Sequence, residues 1–409
     1  MKKIVTDNRF LIGAFIILVF IPSFILGFHN ATLYNPRHGF DGIDHVYYIK
    51  YVFQNKKIPP PNLGKETHQP QLYYAVGALL MSITGTWKTA QYINIFVLWL
   101  IIGMVGIGLY KVFKKTDQIL IGMFSLAALP MLNIFPAMIT NELLNTFWIV
   151  SAAISALYIA LSRSKKELMR NSLWFSASFI LGSWTKASII LIIPAVICSY
   201  MLNKKVLSFV FFLTIIVTSF LSLPMFVRSV VSNSSSNIVV HALTQKYRFR
   251  PIEYYFRLDW IPNVDMYNTQ YYSLLGAAWN SFWTDGHNAI TPFVKFHKKS
   301  FILWSLGFIL LPISIYGLFK LFLMNKKTFI MMIVIAGTML FSYVYTNING
   351  HYSGARLTYE MGIVFPYAFG IATASKNKKL KMFLLIALSI QFITMLSFYW
   401  IQPWWHVTK

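Results

Sequence analysis

Residues 10–28 read FLIGAFIILVFIPSFILGF, an apolar run without a single charge. About 20 helical residues cross the hydrocarbon core of a bilayer, so this run has the length of a spanning helix. It follows Met1-Lys2-Lys3 as a signal peptide would. Yet it is longer than a usual h-region and lacks a small-x-small cleavage site, so it is expected to be retained as a first helix. Comparable runs recur along the chain. Of 409 residues, 56% are hydrophobic and 12% charged, where a soluble protein carries about 25% charged residues. The chain reads as one all-α polytopic membrane domain over residues 1–409.

The formal charge of +24 does not point to nucleic acid. The basic residues sit in short clusters between apolar runs, as topology signals do, and no RNA- or DNA-binding motif accompanies them. The single cysteine, Cys198, lies in an apolar segment, which excludes a disulfide framework and a cysteine metal site. The clusters are Lys2/Lys3/Arg9, Lys111/Lys114/Lys115, Arg163/Lys165/Lys166/Arg170, Lys204/Lys205, Lys326/Lys327 and Lys376/Lys378/Lys379/Lys381. The positive-inside rule places them all in the cytoplasm, so successive clusters are separated by an even number of crossings.

That parity sets the topology. Residues 29–90 form a first outer loop and residues 229–300 a large outer loop. Between Arg170 and Lys204 there are about 30 apolar residues, too many for one span and too few for two full ones. Two short helices are therefore expected, with the turn Trp184-Thr185-Lys186-Ala187-Ser188 recessed below the outer surface. The total is about eleven transmembrane helices, with the chain end outside. The isolated charges Glu142, Lys186 and Arg356 fall on the same face as Asp41. Ionisable groups at membrane depth are expensive and mark functional sites, so a polar cavity opening outward is expected.

Residues 39–52, GFDGIDHVYYIKYV, follow the first helix. Residues 41–55 suit a helix lying in the interface, with a broad apolar face of Ile43, Val46, Tyr47, Ile49, Val52 and Phe53. Asp41 followed by Asp44 resembles a capping box. Asp41 also suits a general base with Asp44 and His45 shaping its site. Both can hold, since a helix start fixes a carboxylate in place.

FDGIDHVYYIKY, then KKIPPP, then HQPQLYYAVGALL, resembles the first outer loop of lipid-carrier-dependent glycosyltransferases. These form the GT-C superfamily, which includes protein O-mannosyltransferases and aminoarabinose transferases. Asp41, His45, Tyr48, Ile49, Gln69, Pro70, Leu72, Tyr73 and Tyr74 match the loop pattern, with Gln71 for its second proline. Thr140-Asn141-Glu142-Leu143 is similar to the family's N-D-A-L turn, and Trp184 to Ser188 to its L-T-K-x-S turn. Ser281-Phe282-Trp283 resembles an S-F-W patch, and Gly354 to Tyr359 follows a G-R-Y-x-x-P pattern loosely.

The resemblance implies sugar transfer from a polyprenyl-phosphate donor to an acceptor hydroxyl on the outer face of the plasma membrane, with inversion. It implies Asp41 as base; Asp44 and Glu142 are further candidate catalytic residues. Lys186, Arg356 and His45 are expected at the donor phosphate, because recessed cations stabilise a phosphate leaving group. Tyr352, Trp283, Asp285, Arg248 and Arg250 are expected on the acceptor or sugar side, where aromatics and arginines suit sugar and phosphate surfaces. No cofactor is expected, although Asp41, Asp44, His45 and Glu142 could together form an oxygen-rich site for a divalent ion. The expected partners are a lipid-linked sugar donor, a glycan, lipid or protein acceptor, and the membrane. Two rival readings are a surface-polysaccharide polymerase and a lipid or glycan transporter. The H-Q-P-Q-L-Y-Y loop weighs against the first, and unrelated chain halves against the second.

Overall fold

The structure is a computed structural model that describes residues 2–36, 41–203, 209–231, 252–256, 258, 273–284, 298–349 and 357–401. All its regular elements are helical. The first apolar run continues from α1 (Lys2–Phe15) through a π-helical turn (Ile16–Phe20) into α2 (Ile21–Leu33). Next come α3 (Gly42–Asn55) and α4 (Leu72–Thr84), then α5 (Thr89–Val112), α6 (Thr116–Ala127) and the short α7 (Pro130–Ile134). α8 (Glu142–Ala160), α9 (Lys165–Ser183), α10 (Ile193–Leu202) and α11 (Phe209–Val231) follow. In the large outer loop only α12 (Ile252–Phe256), α13 (Leu274–Trp283) and a few single residues are described. The chain finishes with α14 (Lys298–Met324), α15 (Lys326–Asn349), α16 (Val364–Ala374) and α17 (Lys378–Tyr399).

Seven of these helical stretches are long and apolar enough to span a bilayer, or eight if the bent pair Thr116–Ala127 and Pro130–Ala137 counts as one. The chain is thus a multi-pass, all-α membrane protein. The remaining expected spans exist as shorter or more charged helices. The return arm Ala187–Leu202 is short, as the apolar count required. The outgoing arm α9 reaches 19 residues because its first turns absorb Lys165, Lys166 and Arg170.

Side-chain bonds sort the chain into two ends. Lys381 pairs with Asp117 at 2.7 Å, Asn203 donates to the Ile159 carbonyl at 2.5 Å, and Lys327 donates to the Ala160 carbonyl at 3.3 Å. With the Lys111 ammonium over the Tyr158 ring, these contacts gather four of the basic clusters, those at 111–115, 163–170, 326–327 and 376–381, at one end of the bundle. At the other end Asn30, on the last turn of α2, donates to the Tyr399 carbonyl at 2.7 Å and accepts from the Ile401 amide at 3.1 Å. The isolated acids and Lys186 lie at that second end. α3 and α4 pack there as a separate apolar cluster built on Val46, Tyr48, Ile49, Tyr73, Tyr74 and Ala78.

Candidate active site

Asp41 does not cap its helix. Its backbone is left-handed (φ 53°, ψ 22°) and its carboxylate accepts no hydrogen bond from the first turn of α3. The helix begins instead on the Asp41 carbonyl, which accepts from the amides of Asp44 (2.9 Å) and His45 (3.0 Å). Close quarters accompany this geometry: a Cβ on Gly42 would lie 2.5 Å from the Pro36 carbonyl oxygen. The capping box expected from Asp41 and Asp44 is therefore not formed at Asp41. Its side chain turns to Lys65 and forms an ion pair at the mouth of the site, with side chains 37% and 54% exposed. That pair raises the Lys65 pKa, mainly through the Asp41 hydrogen bond.

Asp44 stands one turn along, its pKa raised by burial against the opposing field of Lys65. His45 is 4% exposed and its Nδ1 lies 2.8 Å from the Tyr74 hydroxyl. Its ring stacks on Tyr74, which stacks on Tyr48 at 3.7 Å. Burial pushes the His45 pKa down to about 3. The imidazole is neutral at physiological pH, so it has a hydrogen bond to give but no charge.

The recessed turn is stitched to two neighbours. The Leu72 amide, at the start of α4, donates to the Trp184 carbonyl at 2.8 Å. Asn141 donates to the Thr185 carbonyl at 3.2 Å, and Asn145 to the Ser188 hydroxyl at 3.0 Å. These bonds bring Lys186 onto Glu142, the first residue of α8, as an ion pair with side chains only 12% and 9% exposed. The two residues the sequence placed on the same face are thus in direct contact. Oε2 of Glu142 and Oδ1 of Asn145 are buried with no hydrogen-bond partner among the described residues.

Three further residues join the site without having been expected there. Glu66 is 7% exposed, and burial followed by the charge of Asp41 raises its pKa to about 7. Glu360 is 4% exposed and accepts from the Ser342 hydroxyl at 3.3 Å, leaving Oε2 without a partner among the described residues. Arg228, near the end of α11, donates through Nη2 to the carbonyls of Pro59 and Thr67, each at 2.7 Å. It thereby clamps the loop that carries Lys65 and Glu66. The signal for Glu66 was its place in GKETHQPQ, between the acidic helix start and the Q-P-Q-L-Y-Y segment. His68 and the Tyr73/Tyr74 pair are buried. His68 Nδ1 bonds the Lys65 carbonyl at 2.7 Å, and burial lowers its pKa.

Trp283 departs from expectation. It is 1% exposed, packed against Trp279, Phe282 and Tyr367, rather than displayed on an open acceptor surface. Gly307 makes room for it, since a Cβ there would lie 2.8 Å from the indole. Arg356, Tyr352, Asp285, Arg248 and Arg250 lie outside the described residues. No three His, Cys, Asp or Glu side chains among the described residues converge as metal ligands. In place of an oxygen-rich cluster, Asp41 is on Lys65, His45 on Tyr74 and Glu142 on Lys186.

No family model matches the chain, and no curated protein matches it in sequence. Among solved structures, ArnT from Cupriavidus metallidurans bound to undecaprenyl phosphate superposes with a TM-score of 0.56 at 10% identity. That match covers 92% of this chain and 62% of the ArnT chain, so this chain spans less than two thirds of its length. ArnT from the same organism in the apo state aligns over 90% of this chain and 77% of that one, at 13% identity and a TM-score of 0.46. At this identity the first likeness establishes the fold, which is GT-C-like.

Proposed function

We propose that this chain is a membrane glycosyltransferase that moves a sugar from a polyprenyl-phosphate donor to an acceptor hydroxyl, with inversion, at the outer face of the plasma membrane. The observation that carries the reading is the buried Lys186–Glu142 pair on a recessed turn bonded to the first outer loop. A recessed cation held by a carboxylate suits a reaction whose leaving group is a lipid phosphate. The fold it shares with a protein solved with undecaprenyl phosphate supports the same class of donor.

In the proposed reaction the acceptor oxygen attacks the anomeric carbon while its proton passes to Asp41. The bond from that carbon to the phosphate oxygen breaks, and its electron pair leaves with the lipid phosphate. Lys186 and Arg356 meet the charge that develops there. Glu142 holds the Lys186 ammonium in place, and neutral His45 adds a hydrogen bond. The Asp41–Lys65 pair is no obstacle, because a half-exposed ion pair exchanges readily and is worth only about 0–1 kcal/mol. No cofactor is called on. Purified protein in vesicles, given synthetic polyprenyl phosphates that each carry one pentose or hexose, should release free polyprenyl phosphate when an acceptor extract is added. Mass spectrometry of surface glycans and lipids from a deletion strain should reveal one missing sugar. The absence of both lipid-phosphate release and a missing sugar would sink the reading.

A further inference from the structure

We propose that Glu66 is a further ligand-binding residue of this site, its carboxyl hydrogen-bonding a hydroxyl of the donor's sugar. Most buried polar side chains in folded proteins have a partner, and the carboxyl of Glu66 has no hydrogen-bond or ion-pair partner among the described residues while only 7% of the residue is exposed. The cations and imidazoles around it are engaged elsewhere. Lys65 is on Asp41, Lys186 on Glu142, His45 on Tyr74, and His68 on a backbone carbonyl. Arg228 holds the carbonyls of Pro59 and Thr67 on either side of it. The loop is thus fixed by bonds that leave the one acid on it unfilled.

The fields at Glu66 locate the ligand group it would meet. Asp41 before α3, Asp44 on α3, and Lys65 on its own loop all act on it, as does Lys186 from the recessed turn. Tyr74 on α4 lies close enough to feel its charge in return. Glu66 thus lies within the field of both the proposed base and the proposed phosphate cation, a place from which its carboxyl can meet the sugar of a bound donor. This assignment rests on the glycosyltransferase reading for the identity of the ligand. Burial and the two aspartates favour the protonated carboxyl, with a pKa raised to about 7. A protonated acid can donate to a sugar oxygen, as a carboxamide can and a carboxylate cannot.

Two measurements test this. The first needs no activity. A carboxyl whose pKa rises from 4.5 to about 7 on folding contributes stability that is full below pH 4.5 and lost as pH climbs through 7. Wild-type Tm should therefore fall by several degrees more than that of Glu66→Gln between pH 5 and pH 8. The second uses the sugar-bearing polyprenyl phosphates, with bare polyprenyl phosphate as competitor. Glu66→Ala should raise KM for the sugar-bearing donor about three- to tenfold, the worth of one hydrogen bond, without weakening competition by the bare lipid. Wild-type KM should rise above pH 7, and Glu66→Gln should stay within about twofold of wild type below that pH and lose this rise. Parallel Tm curves, an unchanged KM in Glu66→Ala, or equal weakening of the bare lipid overturns the assignment. A wild type that transfers no sugar overturns the glycosyltransferase reading together with it. A transferring wild type with an indifferent Glu66→Ala overturns the assignment alone.

Discussion

Where α14 crosses α16, backbone lies against backbone: a Cβ on Gly317 would collide with the Gly370 carbonyl, and one on Gly370 with Ser314. The Ser314 hydroxyl donates to the Tyr367 carbonyl at 3.0 Å, satisfying the polar atom it brings into the seam. Where the turn at 184–188 meets α8 and the first outer loop, the contact is made by charges and amides instead. Among the described residues, Oε2 of Glu142 and Oδ1 of Asn145 there have no hydrogen-bond partner. Small residues let membrane helices approach closely, and dispersion then holds them. Unfilled buried polar atoms only cost stability. The first region serves the fold, and the second is arranged for something that arrives later.

The comparison breaks first at its rigid side. Gly317→Leu cannot be absorbed by a rotamer change, because the nearest atoms belong to the backbone of α16. Overpacking costs about 1–3 kcal/mol even where side chains can yield, and here two helices must part. Little folded protein should be recovered from detergent extracts, as fluorescence-detected size exclusion would report. A monodisperse variant with wild-type Tm would mean that the helices do not meet in this way.

The charged side comes next. Removing one partner of a buried ion pair costs about 3–5 kcal/mol, whereas replacing both by neutral groups can be nearly free. Lys186→Met alone should lose both Tm and transfer. The double variant Glu142→Gln/Lys186→Met should regain much of the Tm and none of the transfer. If the double variant regains transfer as well, Lys186 serves the fold and not the phosphate.

Asp41→Asn isolates chemistry from stability. Asparagine tolerates the left-handed backbone at 53° as well as aspartate does. No side-chain cap is lost, and the ion pair with Lys65 is exposed. The Tm should stay within about a degree, in line with ordinary surface changes. Loss of a general base should slow transfer by about 10²–10⁴-fold, with Asp44→Asn slowed much less. A near wild-type rate for Asp41→Asn would remove it from the mechanism.

What could be read from sequence follows the same divide. The apolar runs, the Thr140–Leu143 and Trp184–Ser188 turns and the helix after Asp41 were legible, because length and local pattern determine them. The convergence of Glu142 and Lys186 on one face was legible through the spacing of the basic clusters, though their direct pairing was not. Glu66 was not among the expected site residues, because its burial comes from packing by distant parts of the chain. Part of that packing is Arg228, a residue far along the chain that grips Pro59 and Thr67. Asp41 misled as a cap because the spacing to Asp44 is right while the backbone hand is wrong. Trp283 misled as a surface aromatic because the gap that swallows it is a missing side chain at Gly307, on another helix.

Arg228 offers the mildest test, because its bonds to the loop run to backbone carbonyls. Its guanidinium reaches two carbonyls at once, and its field and hydrogen bond also act on the Tyr48 hydroxyl, whose pKa burial raises to about 12. A lysine has the charge but not the planar fork, so it can hold one of these partners and not the set. Arg228→Lys should therefore keep the fold, with a Tm lowered by only a few degrees. The loop between residues 56 and 68 should be cut faster in limited proteolysis. The KM for a lipid-linked donor should rise a few-fold while kcat changes less, since the chemistry at Asp41 and Lys186 is untouched. Arg228→Ala should shift the same three quantities further in the same directions. If both variants match wild type in proteolysis and in KM, the loop is held by its own turns, Thr67 to Gly64 and Gln69 to Glu66. The unfilled carboxyl of Glu66 would then owe its position to the loop alone and not to the helix behind it.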